Sequence, residues 1–137
     1  MLYKRINFKE FSDGRGELVP IEIGADNYDI SFEVKRCYFI SVPTNDDGAI
    51  RGKHAHKNLK QVIICLNGSF TLRLLDRFGR EEELVLSKKN EGIYIEDLTW
   101  RELKNFSENC VILVLASEHY SEEDYIRNFD EFLNYKR

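Results

Sequence analysis

Prolines, cysteines and long apolar runs are all scarce in this sequence, and each scarcity narrows the class of protein. Two prolines and no low-complexity tract leave no flexible linker between domains. No apolar run approaches the ~20 residues that a membrane helix requires, and the first ten residues, MLYKRINFKE, lack the apolar centre of a signal peptide. We therefore expect a cytoplasmic protein with no membrane partner.

The three cysteines, Cys37, Cys65 and Cys110, are widely spaced, and each lies in an apolar stretch. An odd number of cysteines without a secretion signal predicts reduced, buried thiols rather than a disulfide framework. A nucleophilic thiolate needs polar, partly exposed surroundings, so the same stretches argue against a catalytic cysteine.

Length and charge point to one globular domain that spans residues 1–137. The chain has 137 residues, of which 42% are hydrophobic and 12% aromatic, and this composition argues against disorder. A net charge of -4 gives no general attraction to nucleic acid. The basic residues between Arg51 and Lys60 form only a short cluster, so we expect no nucleic-acid partner.

Short segments rich in β-branched and aromatic residues recur along most of the chain. They cover residues 18–23, 34–42, 61–66, 69–75, 82–86, 92–95, 100–105 and 110–116. Turn formers separate them, including one turn at residues 45–48. Asn67-Gly68 predicts a tight hairpin between two of these segments, and the run from Asp76 to Gly79 predicts a second hairpin. This spacing is typical of an antiparallel sandwich or barrel.

Only the C-terminal tail has a helical pattern. Ser121 is a suitable N-cap, and three acidic residues follow it in the first turn. Apolar residues then recur at helical spacing: Tyr125, Ile126, Phe129, Phe132 and Leu133. The prediction is an all-β domain with one short C-terminal helix that packs against it.

Two of the three histidines, His54 and His56, stand at positions i and i+2 of a predicted strand. Alternate residues of a strand point to the same face, so both imidazoles should project side by side. Gln61 is expected farther along the same strand. Paired imidazoles on one face predict a catalytic or metal-binding site.

The spacing of Gly48, His54, His56, Gln61 and Gly68 resembles the first sequence motif of the cupins, with glutamine in place of the usual acid. The second cupin motif would run from residue 92 to residue 105, but its proline and histidine are absent, with Leu98 and either Arg101 or Leu103 near their places. Two imidazoles alone are a weak site for a divalent ion. We therefore expect no bound metal.

Within the cupins, the chain resembles the dTDP-4-keto-6-deoxyglucose 3,4-ketoisomerases. Five blocks carry the resemblance: DGRGELVPIE, VKRCYFI, RGKHAHKNLKQVIICLNGSF, GIYIEDLTW and LASEHYSEEDYIRNFDEF. It implies a cupin jelly-roll β-barrel, a homodimer with exchanged N-terminal strands, and a dTDP-linked 4-keto-6-deoxy sugar as substrate. It also implies that no metal and no cofactor take part.

The implied reaction moves a ketone from C4 to C3 of the sugar through an enediol(ate), which requires a group that takes up and returns a proton near neutral pH. Histidine has an ordinary pKa of ~6.5 and suits this role. By resemblance His54 and His56 are the catalytic pair. The sequence leaves open which one removes the carbon-bound proton, and our prediction favours His56. The hydroxyl of Tyr38 is a further expected contact to a sugar oxygen.

A diphosphate substrate requires cations, and guanidinium groups match phosphate oxygens in pairs. Arg36, Arg51 and Lys57 lie near the histidines in sequence or on a neighbouring predicted strand. Arg15 lies in an N-terminal turn from which it could reach the substrate across a dimer. The Arg-Gly pair there resembles family members that give the galacto product. The predicted substrate-binding set is Arg15, Arg36, Arg51, Lys57, Gln61 and Trp100.

The sequence thus predicts an isomerase that supplies a 3-keto sugar for a 3-amino-3,6-dideoxyhexose of a surface glycan, such as a lipopolysaccharide or S-layer glycan. Two alternatives stay open. A dTDP-sugar 3,5-epimerase also removes protons next to the C4 ketone, but such enzymes are longer and use a differently placed histidine with a tyrosine acid. A non-catalytic cupin that binds a nucleotide sugar is the second alternative.

Overall fold

The computed structural model describes residues 1–24, 28–44 and 48–137. Its strands in chain order are β1 (Lys4–Asn7), β2 (Phe11–Asp13), β3 (Gly16–Leu18), β4 (Arg36–Val42), β5 (Arg51–His56), β6 (Gln61–Asn67), β7 (Phe70–Leu75), β8 (Glu81–Leu86), β9 (Glu91–Ile95), β10 (Trp100–Lys104), β11 (Cys110–Ala116) and β12 (Tyr125–Ile126). A 3₁₀ turn covers Glu122–Asp124, and one helix, α1, covers Phe129–Asn134. The predicted all-β class with a short C-terminal helix is confirmed.

Two five-stranded antiparallel sheets form the body of the domain. The first has the order β1-β9-β6-β11-β4, the second has the order β12-β5-β10-β7-β8, and β2 pairs with β3 in a separate small sheet. Apolar side chains from both large sheets, such as Ile63 and Ile112 from the first and Leu72 and Leu103 from the second, share one buried cluster. The sheets therefore face each other as a jelly-roll sandwich, and in the described residues they are separate rather than hydrogen-bonded into a closed barrel.

How deeply the residues of a strand are buried depends on what packs against its two faces. Along β4 every second residue is exposed, as expected for a strand with one solvated face. The first five residues of β6 are all buried. Ile63 contributes to the cluster between the sheets, whereas Val62 packs on the opposite face with Phe8 and Ile30 from the N-terminal region. The first sheet is therefore covered on both faces near its centre.

The predicted hairpin at Asn67-Gly68 is wrong, whereas the one at Asp76–Gly79 is confirmed. Strands β6 and β7 lie in different sheets, so Asn67-Gly68 carries the chain from one sheet to the other. Gly68 has φ of +77°, and a β-carbon there would collide with the Ser107 hydroxyl. Glycine is therefore needed for a corner rather than for a two-residue hairpin. Strands β7 and β8 pair directly, with Leu75 opposite Glu81.

Three other expectations need correction. The histidine strand ends at His56, and Gln61 opens β6 in the other sheet, so the two are not on one strand. The expected helix from residue 121 is interrupted, because residues 125–126 pair with β5 before α1 begins at an Asn128 cap.

In the N-terminal region, strands β1 and β2 are not predicted by the sequence. The segment 18–23, predicted as a strand, contributes only the end of β3 and an isolated bridge at Ile23. The turn predicted at residues 45–48 lies mostly outside the described residues.

The C-terminal segment is tied to the outer face of the second sheet. Ile126 pairs with Ala55, and Phe132 of α1 is fully buried in a cluster that includes Trp100. This segment brings residues 124–127 beside the end of β5. No helix in the described ranges is long and apolar enough to span a membrane.

Candidate active site

A cavity of about 390 Å³ opens at one end of the space between the two sheets. This volume lies within the range typical of small-molecule sites. Strands from both sheets contribute to its wall, together with β12. The lining residues are Arg36, Cys37, Tyr38, Phe39, Ile40, Arg51, Gly52, His54, Gln61, Ile63, Arg101, Leu103, Val114 and Tyr125.

Strand register brings the polar lining residues together. In the first sheet, Ala116 of β11 lies opposite both Arg36 of β4 and Gln61 of β6. In the second sheet, Arg101 of β10 lies opposite His54 of β5, and the register shifts just after this pair. The shift accompanies left-handed backbone at Gly52 (φ +85°), where a β-carbon would approach the Arg101 carbonyl oxygen to 3.0 Å. This local irregularity is a β-bulge of the kind often found beside active sites.

The two histidines lie side by side, as predicted from their spacing. Their ring centroids are 4.8 Å apart and the ring planes are perpendicular. The Tyr125 ring contacts both, with centroid distances of 4.8 Å to His54 and 4.4 Å to His56. Only His54 lines the cavity. His56 is 0% exposed and lies one layer behind, in contact with two lining side chains.

Asp124 holds the far side of His56. Its Oδ2 atom lies 2.9 Å from Nδ1 of His56, while its Oδ1 atom accepts the backbone N–H of Asn58 at 2.8 Å. The side chain of Asp124 is 12% exposed. Because β12 pairs with β5 next to this contact, the carboxylate and the imidazole are fixed by the same local fold.

A buried chain of hydrogen bonds crosses the floor of the cavity. The Arg101 guanidinium donates from Nη1 to the Gln61 side-chain oxygen and from Nη2 to the Thr99 carbonyl, the latter at 2.8 Å. Gln61 in turn donates from Nε2 to the Tyr38 hydroxyl oxygen at 3.1 Å. Because the Tyr38 oxygen accepts this bond, its own O–H can donate to a ligand in the cavity.

Burial and positive neighbours keep the imidazoles neutral. Desolvation, and after it the Arg101 guanidinium, lowers the pKa of His54 from 6.5 to about 4. The same two causes, in the same order, lower the pKa of His56. Burial also lowers the pKa of Arg101 to about 10, so this guanidinium stays charged near neutral pH. Burial raises the pKa of Tyr38, so its phenol stays protonated.

Several buried polar atoms around the cavity have no hydrogen-bond partner within the described chain. They are Nε and Nη2 of Arg36, Nδ1 of His54, Nε2 of His56 and Nε of Arg101. An unsatisfied buried polar group costs about 1–3 kcal/mol. Five such atoms on four neighbouring side chains are characteristic of a ligand site rather than of a core.

Five of the predicted site residues line the cavity: Tyr38, His54, Arg36, Arg51 and Gln61. Three do not. Arg15 is 92% exposed on the β2–β3 hairpin and pairs with Asp13, and the Lys57 ammonium lies over the Tyr135 ring. Trp100 packs against Phe129 and Phe132 on the outer face of its sheet. Trp100 and Arg101 are consecutive residues of β10, and consecutive strand residues face opposite sides of a sheet. Trp100 therefore points away from the cavity that Arg101 lines.

Sequence reasoning did not assign Arg101, Tyr125 or Asp124 to the site. Arg101 lies near the position where the second cupin motif has a histidine. The sequence pattern does not predict that an arginine at this position is completely buried. Asp124 and Tyr125 lie in the family-like C-terminal block, where the helical pattern concealed a strand. In the described ranges no group of three or more His, Cys, Asp or Glu side chains is arranged to hold a metal ion.

Comparisons with known proteins agree with this geometry. The family model described as "FdtA: WxcM-like, C-terminal" matches residues 1–137. The chain is 44% identical over 132 residues to the TDP-4-oxo-6-deoxy-α-D-glucose-3,4-oxoisomerase of Aneurinibacillus thermoaerophilus, covering 96% of this chain and 91% of that protein.

Solved structures give the same relationship. A histidine-to-asparagine mutant of a 3,4-ketoisomerase from Thermoanaerobacterium thermosaccharolyticum, in complex with TDP-4-keto-6-deoxyglucose, is 44% identical with a TM-score of 0.89, covering 97% of this chain and 92% of that one. A dTDP-4-dehydrorhamnose 3,5-epimerase from Bacillus anthracis is 15% identical with a TM-score of 0.76, covering 90% of this chain and 76% of that one. The epimerase therefore shares the fold alone.

Proposed function

The chain belongs to the FdtA, WxcM-like C-terminal family, and on this premise we propose that it isomerises TDP-4-keto-6-deoxyglucose to the 3-keto sugar. The relationship to sugar 3,4-ketoisomerases that the sequence predicted is confirmed. The observation that carries the proposal is a pair of neutral imidazoles at a cavity with a cationic wall. A neutral imidazole can take a proton from carbon, and the cations can stabilise the negative charge that develops.

The reaction conserves all atoms and electrons of the sugar. A base takes the proton from C3, the C3–H electron pair forms a C3=C4 double bond, and the C4 oxygen becomes an enediol(ate) oxygen that takes up a proton. The C3 hydroxyl then loses its proton, C3=O forms, and the base returns a proton to C4. No redox cofactor is required, because one carbon is oxidised as its neighbour is reduced.

We assign the carbon-bound proton transfer to His54, which reverses the preference for His56 drawn from the sequence. The support is positional, since His54 lines the cavity while His56 lies behind it. In this proposal the Arg101 guanidinium and the Tyr38 hydroxyl stabilise charge on the sugar oxygens. Both are held by Gln61, which accepts from one and donates to the other.

Arg36 and Arg51 are proposed to bind the diphosphate. Both line the cavity, and two nitrogens of the Arg36 guanidinium have no partner in the described chain. Guanidinium groups bind phosphate oxygens in pairs, which a lysine cannot reproduce. A lysine at position 36 should therefore raise KM for the nucleotide sugar more than it lowers kcat.

The galacto configuration at C4 belongs to the same proposal. It rests on the Arg15-Gly16 pair and on the resemblance noted above. The product would supply an aminotransferase that makes a 3-amino-3,6-dideoxy sugar. Trapping the 3-keto product with such an aminotransferase, followed by NMR of the amino sugar, distinguishes an axial from an equatorial C4 hydroxyl.

We further propose a homodimer in which N-terminal strands are exchanged. The β2–β3 hairpin stands apart from both large sheets and exposes Phe11 and Leu18, while Phe39 is 72% exposed on the edge strand β4. Such apolar surface at a sheet edge favours pairing with another chain. Mixing the variants His54→Asn and Arg15→Ala tests whether Arg15 acts across the dimer, because mixed dimers would then regain one intact site.

We also place the reaction in the cytoplasm. All three cysteines are free, and this supports the location because thiols stay reduced there. Cys65 and Cys110 are buried as predicted, whereas Cys37 is exposed, so the prediction is wrong for Cys37.

Incubation with TDP-4-keto-6-deoxyglucose in deuterated water tests the function directly. Isomerisation gives a 3-keto product with deuterium at C4. A 3,5-epimerase would retain the 4-ketone and exchange at C3 or C5, and a non-catalytic binder would give no exchange above background. Either of the last two results contradicts the proposed reaction.

A further inference from the structure

The Asp124 carboxylate is held in a fixed orientation between two segments that are far apart in sequence. One oxygen, Oδ2, contacts His56 Nδ1 at 2.9 Å, and the other, Oδ1, accepts the Asn58 backbone N–H at 2.8 Å. The Asp124 backbone carbonyl accepts the N–H of Lys57, also at 2.8 Å. These three contacts leave the carboxylate no freedom to rotate without breaking a bond.

Resting on the isomerase function above, we propose that Asp124 is a positioning residue that keeps the proton of neutral His56 on Nδ1 and the lone pair on Nε2. A carboxylate oxygen can only accept, so the Nδ1 atom facing it must donate. The Nε2 atom is buried and has no partner in the described chain. His56 therefore presents a free acceptor on the side of its ring away from Asp124.

The surroundings of His56 show why an anion is needed there. The charged and titratable groups that face it are Arg101 from β10, Arg36 from β4, Arg127 beyond β12 and His54 from its own strand. Among the described side chains Asp124 is the carboxylate in direct contact. A proton that reaches His56 during turnover would otherwise face the guanidinium groups of Arg101 and Arg36, whereas the charge of Arg127 is half exposed and paired with Glu122. Asp124 offsets that repulsion at the atom where it acts.

The substitution Asp124→Asn has a defined expected effect. The Asn58 backbone N–H can bond only to an acceptor, so the amide oxygen of the new side chain must occupy the Oδ1 position. Its NH₂ group then faces His56 Nδ1 and donates to it. This forces the His56 proton onto Nε2 and removes the free lone pair, while the shape of the side chain is unchanged.

The test is ¹⁵N NMR of the imidazole nitrogens in the ligand-free protein. The chain has three histidines, so His54→Asn and His119→Gln variants assign the signals of His56. We expect Nδ1 protonated and Nε2 unprotonated in the wild type, and the reverse in Asp124→Asn. Glu123→Gln removes the neighbouring charge without touching His56, and it should leave the wild-type pattern. If Asp124→Asn does not fold, the wild-type spectrum still decides, because protonated Nε2 there contradicts the proposal.

Kinetics supply the second readout. For Asp124→Asn we expect kcat to fall on the order of 10²-fold with KM changed by less than about threefold, since the wrong tautomer removes the acceptor lone pair of His56 without removing a substrate contact. Glu123→Gln should keep its kcat. An unchanged tautomer, or a kcat within about twofold of wild type, overturns the inference. A wild type that shows the expected tautomer but no isomerase activity refutes the proposed function instead.

Discussion

The two ends of the space between the sheets are built from the same strands but have opposite chemistry. On β6 the inward positions change from Gln61 to Ile63 and Cys65, and on β10 they change from Arg101 to Leu103. One end is therefore an apolar core, and the other is a polar cavity with unpaired buried atoms. The apolar end therefore supplies stability, whereas the polar end costs stability and provides the chemistry.

The largest expected effect is at the polar end. We expect His54→Asn to lose on the order of 10²–10⁴-fold in turnover, because it removes the proposed proton acceptor. The thermal unfolding temperature should hold, since a partly exposed imidazole at a cavity contributes little packing. Steady-state kinetics with a thermal melt check both halves of this prediction. Wild-type turnover in this variant would contradict the assignment of His54.

Arg101→Met should separate function from stability even more sharply. Arg101 is fully buried, and its guanidinium donates to the Gln61 side chain and to the Thr99 carbonyl rather than to a carboxylate. The substitution removes the desolvation cost of a buried charge but leaves these two acceptors without a donor, and the two effects oppose each other. We expect turnover to fall on the order of 10²-fold, with a free energy of unfolding close to that of the wild type. A large loss of stability would show that this end also holds the fold together.

Leu72→Ala is the converse change at the apolar end. Leu72 is 0% exposed in the main core, and such truncations cost about 2–5 kcal/mol. Chemical denaturation should show this loss, while kcat measured at low temperature stays near the wild-type value. If kcat falls as far as in His54→Asn, then the apolar end contributes to activity as well as to stability.

Acid should weaken the fold through the histidines. The pKa of His54 is lowered from 6.5 to about 4, so the unfolded chain binds a proton that the folded chain does not. Stability is therefore complete above about pH 6.5 and decreases as the pH falls towards about 4. His54→Asn should reduce this decrease, and His119→Gln is the matched control on the surface. Equal pH slopes for wild type and His54→Asn would show that the His54 imidazole is not the cause.

The smallest expected effect is that of a chelator. Arg101 lies near the position of the third histidine of metal-binding cupins, and a guanidinium repels a cation. Dialysis against a strong chelator should leave turnover unchanged. A loss that a divalent ion restores would show that the site holds a metal after all.

Sequence reasoning predicted the fold class and much of the site, because both leave local patterns. Alternation and turn residues located seven of the eight predicted strand segments, the exception being residues 18–23, and the spacing of His54 and His56 placed their rings together. It placed Asn67-Gly68 in the wrong kind of turn, because the same dipeptide suits a hairpin and a corner between sheets. Which of these forms depends on pairing between β6 and β11, a contact between segments far apart in the chain.

The same limit explains the missed residues. Asp124 and Tyr125 join the site because β12 pairs with β5, and a two-residue strand leaves no period to detect. The burial of Arg101 depends on register, since a shift by one residue would turn it to the outer face in exchange for Trp100. The prediction for Lys57 rests on proximity in sequence, which does not determine direction in space, and the prediction for Arg15 rests on a reach across a dimer.

The pairing of β12 with β5 also bears on how the active centre is assembled during synthesis. Both imidazoles, and every lining residue except Tyr125, precede the segment of β12 in the chain and are translated before it. The Asp124 contact to His56 can therefore form only after β12 has paired with β5. A chain released before this segment is translated would carry the histidines without their carboxylate.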